Sequence, residues 1–304
     1  MKKGNIKSLL GLFLVALCST STVDAQRWFR TSSLEFGLIG GFSHYSGELT
    51  RPTFESRGFK PSAGLITRYT PGQRITFRLS AQYGQLEGRD DWYNEDYRID
   101  RNLSFQSDLW DFTGAMEVNL RRMDPRMKSG IFPYVYAGVS VFKFNPKAVF
   151  EYDPTGPMAA YLLNPYLELA DRDGELVELQ PLGTEGQETT EFNERRRYAL
   201  TQVSIPVGGG LKFKLNHKWT LGVEYGLRFT FTDYIDDVSD SYVDPQRLLS
   251  QYGAMSAAMA DRGPGPLHVE DAKRGDPGRN DAYGIFGVTF TYRLYGNRPA
   301  CPTF

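Results

Sequence analysis

The residues best suited to chemistry in this chain are few, and they stand near the ends of apolar segments. His44-Tyr-Ser46, followed by Glu48, places an imidazole two residues from a hydroxyl. On an extended chain those two side chains share a face, so a serine–base pair with a nearby acid is geometrically allowed. His44 continues the apolar face of Phe36, Leu38 and Phe42, which would put such a pair on the outer side of a membrane wall. Any strand end bent into a loop at Gly47 would match the same three residues. A second group is acidic: Asp233, Asp236, Asp237, Asp240 and Asp244. Clustered carboxylates suit hard cations, which makes Asp233, Asp236 and Asp237 weak metal candidates. Their spacing does not follow an EF-hand, and a solvated acidic loop is the simpler expectation. The three histidines, His44, His217 and His268, are far apart, and a zinc site of the usual N/S kind is not expected. No glycine-rich loop precedes a helix, and with a net charge of −1 nothing basic enough for nucleic acid stands out. No cofactor is implied.

The elements that carry these residues alternate with a period of two. Ile75, Phe77, Leu79, Ala81 and Tyr83 oppose Thr76, Arg78, Ser80 and Gln82. Trp219, Leu221, Val223, Tyr225, Leu227, Phe229 and Phe231 oppose Thr220, Gly222, Glu224, Gly226, Arg228, Thr230 and Thr232. This is a strand pattern. Eight strands are expected, over 33–45, 61–69, 74–86, 103–120, 131–144, 198–215, 218–233 and 282–295. Their connections sort by parity. Thr70–Gln73, Arg121–Gly130 and Asn216–His217 are short, whereas 46–60, 87–102, 145–197 and 234–281 are long. Outer-membrane barrels have short periplasmic turns and long outer loops. The expected fold is therefore all-β: an eight-stranded antiparallel transmembrane β-barrel with both termini periplasmic. Tyr45, Tyr69, Tyr83, Trp110, Tyr134, Trp219, Tyr234 and Tyr295 lie near strand ends, as an interfacial girdle would.

The N-terminus reads as a secretory signal over residues 1–25. It has a basic start at Met1–Lys7, an apolar stretch at Ser8–Leu17 and a small-residue cleavage site at Val23-Asp-Ala25. Leu17 before Cys18 argues against lipidation. The barrel would span 26–295 and a periplasmic tail 296–304. That tail holds Cys301, the single cysteine of the mature chain, with proline on either side at 299 and 302. An extended thiol in an oxidising compartment suits an intermolecular disulfide. A mean hydropathy of −0.42 fits a barrel, because half of each strand and its loops are polar.

An eight-stranded barrel is filled by its own side chains. Arg78, Glu117, Glu224 and Arg228 point inward by parity. Unpaired buried charge is costly, so a plugging ion network is expected of them. Within the long loops, 159–163 and 176–179 suggest local structure and 246–260 a short amphipathic helix. The Gly- and Pro-rich stretch 261–279 is expected to be mobile.

Several motifs together resemble a known family. They are Gly40-Gly-Phe-Ser-His-Tyr-Ser-Gly-Glu-Leu49, Arg101-Asn-Leu-Ser-Phe105, Tyr134-Val-Tyr-Ala-Gly-Val139 with Phe144-Asn-Pro146, Pro181-Leu-Gly-Thr-Glu-Gly-Gln187, Ile205-Pro-Val-Gly-Gly-Gly210, and Glu224-Tyr-Gly-Leu-Arg-Phe-Thr-Phe-Thr-Asp-Tyr-Ile-Asp-Asp-Val-Ser239. The set, up to about Asp244, resembles the PorG-like outer-membrane barrels of the type IX secretion system in Bacteroidota. The resemblance implies a non-enzymatic accessory barrel that associates with a periplasmic ring of a PorK-like lipoprotein and a PorN-like partner. It implies no catalytic residues, and the His44–Ser46 pair falls inside one of its motifs. Two other readings stay open: a lipid A deacylase-like barrel dependent on His44, and a ligand-binding or adhesive barrel working through its outer loops.

Overall fold

The computed structural model describes residues 32–50, 56–123, 127–189 and 195–296. Eight strands close into an antiparallel barrel: β1 (Ser33–Ser46), β2 (Lys60–Thr70), β3 (Ile75–Arg89), β4 (Ser104–Asn119), β5 (Gly130–Val149), β7 (Thr201–Lys214), β8 (Trp219–Thr230) and β9 (Ala282–Gly296). Neighbours in sequence are neighbours in space, and the β1–β9 pairing completes the ring. A ninth, short strand, β6 (Leu176–Glu178), adds to the C-terminal end of β5, where Lys147–Val149 have run past their pairing with β7. No helix among the described residues is long and apolar enough to cross a membrane; the strands make the crossing instead.

Alternation decides the two faces. Phe77, Leu79 and Tyr83 on β3, and Leu38 and Phe42 on β1, face outward and are exposed. Thr76, Arg78, Ser80 and Gln82 are buried within. Apolar outside and polar inside is the distribution of a membrane-spanning barrel. The β5–β7 ladder lapses between Ala137↔Val207 and Ser140↔Ser204. Pro206 falls in that gap, where a residue without an amide hydrogen removes the least. Of the expected girdle, Tyr69, Tyr83 and Trp110 do stand on the outer wall. Tyr45 and Tyr134 do not: both are buried, because their parity turns them inward.

The long connections are not loose. The described parts of these connections, 47–50, 56–59, 90–103, 150–189, 195–200 and 231–281, fold together over one end of the barrel. Their main elements are helices α1 (Asp96–Arg101), α2 (Pro157–Leu162), α3 (Asn164–Leu167), α4 (Pro245–Tyr252) and α5 (Ala254–Ala260). A continuous apolar core joins Leu49, Phe150, Leu162, Val238, Leu248 and Met259 to Phe142, Phe144 and Tyr283 at the strand ends. The single helix expected over 246–260 is two, because Gly253 takes φ +91° and turns the chain between them. The segment 261–279, expected to be mobile, is pinned at several points while most of its length stays at the surface. Arg274 is 3% exposed, His268 stacks on Tyr242 at 4.1 Å, and Ser241 bridges to Lys273.

Candidate functional site

Two buried polar networks sit one above the other. The lower fills the barrel. Arg68 Nε donates to Glu117 at 2.9 Å and its Nη2 to Glu224 at 3.1 Å. Arg78 donates to Glu224 at 2.8 Å and lies 3.5 Å from Glu117. Lys212 closes on Glu117 and donates to Asn119 at 3.1 Å. The Tyr134 hydroxyl donates to Glu224 at 2.5 Å. Arg78, Glu117 and Glu224, singled out by strand parity, thus meet in one cluster. Arg228 does not join it. It lies nearer the loop end, 3.5 Å from Asp111, which also receives the hydroxyls of Tyr283 at 2.8 Å and Thr113 at 2.6 Å. Arg68, Lys212 and Asp111 were missed by sequence reasoning, although parity along β2, β7 and β4 carries the same signal for them. Arg68, Arg78, Arg228, Tyr134, Tyr283 and Lys212 are all less than 2% exposed or at about that limit, so the barrel interior is filled.

The upper network is the polar heart of the cap. Asp90, at the end of β3, is held by Arg98 at 3.0 Å and by Arg101 at 2.7 and 2.8 Å. Arg101 also donates to the Arg274 carbonyl at 2.7 Å and the Glu48 carbonyl at 3.3 Å. Arg274 donates to Glu185 at 2.8 Å and to the Asp237 carbonyl at 2.6 Å. Glu185 receives the amides of Ser239 and Asp240 at 2.9 and 3.1 Å. Asp237 receives Thr184 at 2.6 Å and Tyr198 at 2.7 Å. Two motifs far apart in sequence, Pro181–Gln187 and the end of Glu224–Ser239, are therefore interlocked by direct hydrogen bonds, and Arg101 of a third reaches them through Arg274.

The acidic loop expected to be solvated is instead buried: Asp236 and Asp237 are each 1% exposed. The five aspartates also part company. Asp237 belongs to the Arg274 network, Asp240 pairs with Arg195 at 3.2 Å, and Asp244 caps α4 by accepting from the Gln246 amide at 2.8 Å. Asp236 joins Glu48 and Asp281, which sequence reasoning did not group with it. Carboxylate oxygens of these three lie within 4.8 Å of one another. Tyr45 rises from β1 between them, its hydroxyl 2.7 Å from Asp236 and 2.6 Å from Asp281. Burial raises the Asp236 carboxyl well above the usual range, reinforced by Glu48. Burial pushes Asp237 up to about 6 against the pull of Arg274. Asp233 is pushed up to about 8 by burial and then by Glu48. Ser239 opposes that shift without reaching hydrogen-bond geometry.

The His44–Ser46–Glu48 constellation is divided. The His44 imidazole lies on the wall, 6% exposed beneath Phe59, and its Nε2 meets the Tyr225 hydroxyl at 2.9 Å. Gly284 opens this path, for a Cβ there would stand 2.1 Å from Nε2. Glu48, the candidate acid, is drawn into the carboxylate group with Asp236 and Asp281. Cys301 and the signal segment lie outside the described residues.

Residues 8–156 match a family described as a domain of unknown function (DUF6089). Among curated proteins, none matches the chain. Solved barrels do resemble it in chain path. Neisserial surface protein A is 8% identical, with 86% of this chain and 97% of that one covered and a TM-score of 0.39. The outer membrane protein OprG from Pseudomonas aeruginosa is 11% identical over 88% and 99%, at 0.38. The outer membrane enzyme PagL is 12% identical over 85% and 97%, at 0.30. Identities this low carry no site residue across.

Proposed function

We propose that the protein is a non-enzymatic outer-membrane component of a type IX secretion machine, a plugged barrel that anchors a periplasmic ring. The observation that carries this reading is the interlocking of Thr184–Glu185 with Asp237 and Ser239, joined to Arg101 through Arg274. Three of the motifs that resemble the PorG-like barrels are the ones that build the cap's polar core. The plugged lumen supports an anchoring role over a conducting one, since solute has no open path between Arg68, Arg78, Lys212 and their partners. In this reading the short turns and both termini face the periplasm, where a PorK-like lipoprotein and a PorN-like protein would dock, and the cap faces outward. A lipid-modifying reading would need His44 free to activate Ser46 and Glu48 to orient it, whereas His44 meets Tyr225 and Glu48 turns into the cap.

The test is affinity capture from detergent-solubilised outer membranes. A stoichiometric periplasmic lipoprotein is the expected result. Capture of the barrel alone, together with altered lipid A that reverts in His44→Ala, would replace this reading with the enzymatic one. Cysteine introduced at Gly265 should label on intact cells, and labelling at Asn216 instead would invert the orientation.

A further inference from the structure

The group at Glu48, Asp236 and Asp281 holds more acceptors than protons. Tyr45 has one hydroxyl proton, yet its oxygen lies within hydrogen-bond distance of both Asp236 and Asp281 and also accepts from the Glu48 amide at 3.1 Å. The remaining oxygens of the two aspartates are fixed by backbone amides. Val238 N–H donates to Asp236 at 3.0 Å and Ile235 N–H to Asp281 at 2.9 Å. Two carboxylates held this rigidly cannot swing apart to relieve their repulsion.

A separate side chain points to what belongs between them. Asp233 is 7% exposed, and neither of its carboxylate oxygens has a hydrogen-bond partner. Its charge acts on Asp281, and that of Glu48 acts on it. One oxygen of Glu48 is likewise buried without a partner. Buried carboxylates left without donors are costly unless a counter-charge is supplied. The nearby cations supply it only in part. Arg101 is committed to Asp90 and to two carbonyls, and Arg279 is exposed. Glu48 also lines a cleft of about 590 Å³, open to solvent between Thr50, Arg98, Tyr242 and Arg279, so an ion has a way in.

We propose that Glu48, Asp236 and Asp281, with the charge of Asp233 nearby, bind a divalent cation of the calcium class. All the donors are hard oxygens, the ligands come from two different long connections, and water can fill the remaining positions. Such an ion would tie Glu48, just past β1, to segment 231–281 across the barrel mouth. For a site of this kind on an exported protein, a Kd of about 0.1–1 mM is expected.

Terbium is the probe, because Tyr45 stands at the site and tyrosine sensitises its emission. The refolded full mature chain in detergent should show saturable terbium luminescence on tyrosine excitation, displaced by calcium. The double variant Asp236→Asn, Asp281→Asn should lose at least about tenfold in affinity, since it removes two of the charged ligands. Glu48→Gln keeps the side chain's size at a partly buried position, and should lose about fivefold with its heat-modified gel shift intact. It serves if the double variant does not fold. Calcium should also raise the melting temperature of the wild type and not of Glu48→Gln. Terbium emission that is absent, does not saturate, or is unchanged in Glu48→Gln would overturn the site, as would a melting temperature indifferent to calcium.

Discussion

The lumen and the cap both bury charge, and they resolve it differently. In the lumen every carboxylate is met by a cation: Glu117 and Glu224 sit among Arg68, Arg78 and Lys212. In the cap one half resembles this, with Arg274 on Glu185 and Arg101 on Asp90. The other half is acidic, with Glu48, Asp236 and Asp281 around one tyrosine and Asp233 buried without a hydrogen-bond partner. Paired charge locks a structure without outside help. Unpaired charge of one sign leaves part of the cap's cohesion dependent on what the surroundings supply.

The largest expected effect tests the self-sufficient region. Glu224→Ala removes the partner of two buried guanidiniums and of Tyr134, and should cost about 3–5 kcal/mol. Urea titration of the gel shift between folded and unfolded barrel measures it. An unaltered midpoint would mean that the lumen charges do not hold the barrel. Next comes Arg274→Met, which strips hydrogen bonds from Glu185 and the Asp237 carbonyl at a cost of about 2–3 kcal/mol. Here the barrel shift should survive while limited proteolysis opens the 234–281 connection. Simultaneous loss of both would show that cap and barrel are one cooperative unit. Gly284→Ala is milder. Its methyl would push His44 off Tyr225, an overpacking worth about 1–2 kcal/mol. A lowered melting temperature without altered lipid A is the expected readout. Smallest of all is Arg172→Ala, which breaks an exposed pair with Glu175 and should leave the melting temperature where it was.

The same contrast explains what could be read from sequence. A strand's period fixes which side chains point inward, so Arg78, Glu117, Glu224 and Arg228 were legible from alternation alone. Alternation does not say which inward charges share a level, and that is set by strand stagger. Hence Arg228 falls to Asp111 rather than to Glu117 or Glu224. Aromatic identity near a strand end misled for Tyr134, where parity was the better guide. The cap offered no period at all. Asp236 and Asp237 read as solvated because nothing in a run of aspartates tells of Tyr45, Tyr198 or Arg274 coming from elsewhere to cover them. Glycine and proline over 261–279 suggested mobility, yet those residues only shape a path that Arg274 then pins.

The short strand β6 has a bearing on the company this molecule keeps. β5 runs for 20 residues, about 65 Å at the usual rise, well beyond the hydrocarbon thickness. Past Lys143 it parts from β7, and there a row of amides and carbonyls would stand open above the rim. Such an edge is a template on which any unfolded passing chain can add itself as a strand. Leu176–Glu178 occupy it first. Three residues thus blunt the rim, and the barrel is kept from recruiting a foreign strand at this edge.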